Sequence, residues 1–70
     1  MPSNPCDPIA KQYPAGEESA SVLACIDAAY ATYTADLALC GGSPDCCIGI
    51  LHNYLAAWQT CTGTPHPDVP

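Results

Sequence analysis

Six cysteines, at positions 6, 25, 40, 46, 47 and 61, stand in a chain of 70 residues. Nothing else in the sequence restricts the fold as much. An even count at this density reads as a disulfide framework. Such frameworks persist only in oxidising surroundings. A core built from so few residues is marginal by itself, and three crosslinks would make up the difference. The competing use of the sulfurs is metal binding. Zinc sites draw on C-x2-4-C pairs, whereas only Cys46 and Cys47 are close neighbours here, and adjacent helical residues point apart. The expectation is therefore a secreted, extracellular mature domain whose leader has been removed, with Met1 an expression start. The runner-up compartment is the intermembrane space of mitochondria.

Prolines and glycines divide the chain. Pro2, Pro5 and Pro8 make an extended lead-in. Asp7 before Pro8 is a cap followed by a first helical position, so a short helix is expected at about 7–13, stopped by Pro14. Glu17 and Glu18 suit a helix N-terminus, and no Pro or Gly follows until Gly41. Val22, Ile26, Ala29, Tyr33 and Leu37 recur at three- and four-residue steps, which predicts an amphipathic helix at about 17–40. Gly41-Gly42 ends it. Ser43-Pro44-Asp45 opens another helix, at about 44–61, with Cys47, Leu51, Tyr54, Leu55, Trp58 and Cys61 on one face. The fold class expected is all-α: a disulfide-stapled helical hairpin plus a short N-terminal helix, up-down-up, forming one domain over 1–61. Residues 62–70, with three prolines, are expected to be a flexible tail.

Helix geometry narrows the disulfide pairing. The turn after Cys40 is short, so the long helices should lie antiparallel. Cys25 precedes Cys40 by 15 residues and Cys61 follows Cys47 by 14, both about 21–22 Å along a helix axis. Cys40–Cys47 can then close the turn end and Cys25–Cys61 the far end. Cys46, turned by about 100°, is left for Cys6, which would pin the N-terminal helix. The tyrosines and Trp58 are expected to fill the space between helices.

The formal charge is −6, with one Lys, no Arg and seven carboxylates. So few cations exclude a phosphate-binding surface for nucleic acid and argue against docking on anionic membranes. No unbroken apolar run approaches the length of a membrane span. The groups needed for catalysis do not gather. His52 is expected to face solvent, and His66 to sit in the tail without a rigid neighbour. Asp27 and Asp36 are nine residues apart, on opposite helix faces, and pair no acid with a base. Cys46-Cys47 upstream of His52-Asn53-Tyr54 differs in spacing from the catalytic helix of secreted phospholipases A2. No phosphate loop, nucleophile elbow or zinc-protease motif occurs. The chain is expected to be no enzyme and to need no cofactor or metal.

The cysteine pattern resembles that of the pheromones of Euplotes ciliates, which are small, acidic, secreted three-helix proteins. That resemblance implies first-to-fourth, second-to-sixth and third-to-fifth pairing: Cys6–Cys46, Cys25–Cys61 and Cys40–Cys47, over residues 6–61. The twin spacing Cys25-x14-Cys40 and Cys47-x13-Cys61 is also similar to helical hairpin proteins of the mitochondrial intermembrane space. With 49 % apolar and 11 % charged residues, a chain this small should leave some apolar surface exposed, around Leu39, Ile48 and Ile50. The expected function is a secreted signalling or interaction protein, pheromone-, effector- or toxin-like. Its partner would be a protein receptor or a second copy of the chain. The alternative is a small carrier of lipid or another hydrophobic ligand.

Overall fold

A computed structural model describes residues 4–16 and 19–66. Among them the chain is all-helical, with two helices and no strand: α1, Ala20–Leu39, and α2, Pro44–Thr62. Both long helices were legible from the periodicity. The reading of Glu17 and Glu18 as the first helical residues lies outside the described residues.

The helices form an antiparallel hairpin. The turn between them depends on Gly41 and Gly42, whose φ values of 62° and 84° fall in the left-handed region that side chains disfavour. Within the turn the Cys40 amide donates to the Leu37 carbonyl at 3.1 Å and the Ser43 amide to the Cys40 carbonyl at 3.2 Å. Pro44 then supplies the first helical position of α2. Gly63 ends α2 in the left-handed conformation, its amide donating to the Gln59 carbonyl at 2.7 Å.

The core is a narrow stripe. Ile26, Tyr33 and Leu37 are buried on α1, and Cys47, Tyr54 and Trp58 on α2. Each set repeats at seven and then four residues, the steps that return a helix to one face. Val22, Ala29, Leu51, Leu55 and Cys61 are half-buried beside it. The outer face of α1 is not charged but alanine-rich, with Ala24, Ala28, Ala31 and Ala35 exposed. As a result α1 is long and apolar enough to cross a membrane by length and composition, a match that the search for unbroken apolar runs misses. Its buried stripe packs on α2, and Asp27 and Asp36 interrupt its length.

Three disulfides close the fold: Cys6–Cys47, Cys25–Cys61 and Cys40–Cys46. Cys25–Cys61 is the far-end bridge that helix spacing suggests. The other two exchange partners relative to the expected Cys6–Cys46 and Cys40–Cys47. The reason is the direction in which Cys47 points. It precedes Tyr54 and Trp58 by seven and eleven residues and so shares their buried stripe. The N-terminal segment lies over that stripe and takes Cys47. Cys46, about 100° round the helix and exposed, is left to meet Cys40 across the glycine turn.

The N-terminal segment is not helical, which corrects the expected third helix at about 7–13. Residues 8–14 have no regular secondary structure. A turn at Asn4–Asp7 precedes them, with the Asp7 amide on the Asn4 carbonyl at 2.9 Å and the Cys6 amide on Asn4 Oδ1 at 2.9 Å. A stretch this short between prolines does not repay helix nucleation. Its backbone groups bond the side chains of the hairpin instead.

The beginning of the expected tail is also corrected. Thr62 belongs to α2, and Thr64 lies in a turn in which its amide donates to Thr62 Oγ1 at 3.2 Å. His66 is only 2 % exposed. Residues 67–70 of that expected tail lie outside the described residues.

The sequence separations of the bridges rank their contributions. Cys25–Cys61 closes 36 residues and Cys40–Cys46 only 6. By loop-closure entropy, replacing the first pair with alanines should cost about 4 kcal/mol and replacing the second about 2 kcal/mol. Urea unfolding of the two double variants checks that order; equal losses would contradict it.

Candidate functional site

The hairpin has two unlike sides. On one, residues from both ends of the chain are clasped by aromatic side chains. On the other, an apolar groove lies open between the helices.

The clasp centres on Ile9. The Ile9 amide donates to Tyr33 Oη at 3.0 Å, and Tyr30 Oη donates to the Ile9 carbonyl at 2.7 Å. Two tyrosines from α1 thus bond both backbone groups of one residue. From α2, the Trp58 indole Nε1–H donates to the Gln12 carbonyl at 2.9 Å. These bonds pair three backbone groups of the segment, the Ile9 amide and carbonyl and the Gln12 carbonyl, without a helix. The rings pack around them: Tyr33 stacks on Tyr54 at 4.7 Å and 19°, and Tyr30 meets Tyr54 edge-on at 5.6 Å.

A surface ion pair closes the segment's outer edge. Lys11 Nζ lies 2.9 Å from Asp27 Oδ1, and Tyr13 Oη donates to the same oxygen at 2.6 Å. The ammonium also sits 5.7 Å from the Tyr13 ring centroid and 5.8 Å from that of Tyr30. The hydrogen bond from Tyr13, and then that from Lys11, hold the Asp27 carboxyl below its ordinary pKa. The Asp27 bond, and then Tyr13, raise that of Lys11. Both groups are well exposed, so the pair orders the segment more than it adds stability.

At the other chain end, His66 meets the Trp58 ring at 4.7 Å and the Tyr54 ring at 5.9 Å, both edge-on. The expectation of a histidine without a rigid neighbour is therefore overturned: the turn after Gly63 folds the chain back onto α2. His52 is exposed, as its position opposite the core stripe indicates.

The open groove has a volume of about 170 Å³. Half-buried Ala29, Ile50 and Ala57, with the buried Tyr33 and Tyr54, form its apolar floor. Thr32, Asp36 and Asn53 stand along its rim. Its register follows from the two interhelical bridges. Counting inward from Cys25–Cys61 and from Cys40–Cys46 sets Ala29 level with Ala57, Tyr33 with Asn53 and Asp36 with Ile50, so the groove runs between the bridges. Asp27 faces the clasp while Asp36 faces the groove, as half a helical turn between them requires.

Of the apolar residues expected at the surface, Leu39 is 84 % exposed and Ile48 40 %, whereas Ile50 is half-buried in the groove wall. Sequence reasoning missed the clasp. It counted the aromatics as filling between helices, although a buried tyrosine or tryptophan brings a polar group that needs a partner. The unpaired backbone of a proline-rich segment was the available partner.

All six cysteines are in disulfides. Among the described residues, no three His, Cys, Asp or Glu side chains gather as a metal site would require. The chain matches no protein-family model, no curated protein and no solved structure.

The clasp has a pH window. A lowered carboxyl pKa contributes above the ordinary carboxylate range and is lost as pH falls through the lowered value. A raised ammonium pKa contributes below the ordinary lysine range and is lost as pH rises through the raised value. The segment around Lys11–Tyr13 should therefore be most ordered between those limits. ¹⁵N heteronuclear NOEs at residues 10–13 should fall towards both acid and alkaline extremes, and Asp27→Asn should remove the acid limb. An unchanged acid limb in that variant would show that Asp27 does not hold the segment.

Proposed function

We propose that this chain is a small secreted binding protein of the messenger or effector type, acting by presenting a rigid helical surface to a protein partner. The observation that carries the reading is the division of the hairpin into two sides. Among the described residues, the N-terminal segment and His66 are packed over the aromatic stripe, and the apolar groove between the helices is left open at the surface. Three crosslinks fix that surface before any partner arrives, which lowers the entropy cost of binding. The disulfides are consistent with an oxidising compartment, either extracellular or the mitochondrial intermembrane space. Secretion is preferred because the chain's strong negative balance suits a soluble diffusing ligand.

The carrier reading has less support. Trp58, Tyr33, Ile26 and Cys47 occupy the interior, and the groove is smaller than the roughly 300–1,000 Å³ of typical ligand pockets.

The test is saturable binding. Oxidised protein carrying one fluorophore at Lys11 should bind cells of the encoding organism saturably. Unlabelled oxidised protein should displace it, and reduced, alkylated protein should not. Binding that does not saturate, or that the alkylated chain displaces equally well, would overturn the proposal.

A further inference from the structure

The charge balance and the groove together indicate the chemistry of a partner. The chain has seven carboxylates, one Lys and no Arg. That Lys is engaged by Asp27 on the clasp side, at 2.9 Å. Asp36 lies half-buried on the opposite side, at the rim of an apolar groove. No lysine or arginine of the chain is left to pair with it, so a cation that pairs with it comes from outside. An apolar floor beside a partly shielded carboxylate suits a group with an aliphatic stem and a cationic end. A groove of about 170 Å³ is below the size of a drug-like pocket and admits a single side chain.

We propose that the groove between α1 and α2 receives a lysine side chain of the protein partner. Its stem lies along Ala29, Ile50 and Ala57, and its ammonium meets the Asp36 carboxylate and the Asn53 side-chain carbonyl. This rests on the reading of the chain as a binding protein and names the partner's chemistry. A second copy of the chain does not fit. Its own lysine is engaged at Asp27, and two copies of charge −6 repel.

The experiment is an NMR titration of the oxidised full chain with Nα-acetyl-lysine N-methylamide. The capped norleucine and capped glutamate analogues serve as comparisons. Capped lysine should shift the amides of Ala29, Thr32, Asp36, Asn53 and Ala57 saturably, and the two analogues should shift them far less. Asp36→Asn should weaken binding about five-fold, the scale of a partly exposed ion pair. Ala57→Leu, which fills the groove, should abolish the shifts. Capped norleucine binding as well as capped lysine would overturn the proposal without recourse to any variant. Shifts spread equally over Asp7, Asp27 and Asp45 that survive Asp36→Asn would also overturn it. The two readings fail separately. Saturable cell binding that Asp36→Asn leaves intact, with no groove shifts, removes the lysine site and keeps the binding role. Groove shifts without saturable cell binding remove the role and keep the site.

Discussion

The two adjacent cysteines at the head of α2 determine how everything else is arranged. A single helical step turns one side chain about 100° from the next, so Cys46 and Cys47 cannot serve the same neighbour. Cys46 is exposed and reaches back across the glycine turn to Cys40, fixing the register of the two helices. Cys47 is fully buried and anchors the N-terminal segment through Cys6. One dipeptide therefore joins the hairpin to itself and to the strap laid over it. Cys25–Cys61 repeats the interhelical constraint at the other end. Between these ends a stripe of six buried residues suffices as a core, because crosslinks restrict the unfolded chain that a larger core would otherwise have to outweigh.

The strap explains how so small a chain buries its aromatics. Two helices in contact cover only one line of each other, and rings beside that line would face water. The N-terminal segment covers Tyr30, Tyr33 and Trp58, exchanging its own helical hydrogen bonds for bonds to their polar groups. The turn ending at His66 covers the rest of Trp58 from the other chain end. Among the described residues, the segment around Ile9–Gln12 and the turn at His66 are thereby committed to the same side. Among the described residues, neither of these lies on the groove side, which is the surface proposed to bind.

Much of this was legible in the sequence. Glycine and proline punctuation located both long helices to within a few residues, and spacing along them gave Cys25–Cys61. The choice between Cys46 and Cys47 was not legible by that route. Distances along an axis are nearly equal for neighbouring residues, and only their direction separates them. The direction was available in the stripe Cys47, Tyr54, Trp58, had that stripe been read as lying under a third segment rather than against α1. Asp7-Pro8 carries a helix-start signal, but the tyrosine hydroxyls and the indole compete for the backbone groups that a helix would use. His66 stands among prolines, and nothing local shows that the chain turns back at Gly63. Of the groove, sequence reading found the opposed faces of Asp27 and Asp36 and the apolar Ile50. Their assembly depends on the register that the bridges impose.

The connectivity of the neighbouring cysteines is the most direct test of this account. Partial reduction at acid pH, alkylation of each intermediate and fragment sequencing between residues 46 and 47 can separate the two bridges. The account requires Cys6 joined to Cys47 and Cys40 joined to Cys46, with Cys25–Cys61 intact. Finding Cys6 on Cys46 and Cys40 on Cys47, or finding free thiols in the native protein, would contradict it.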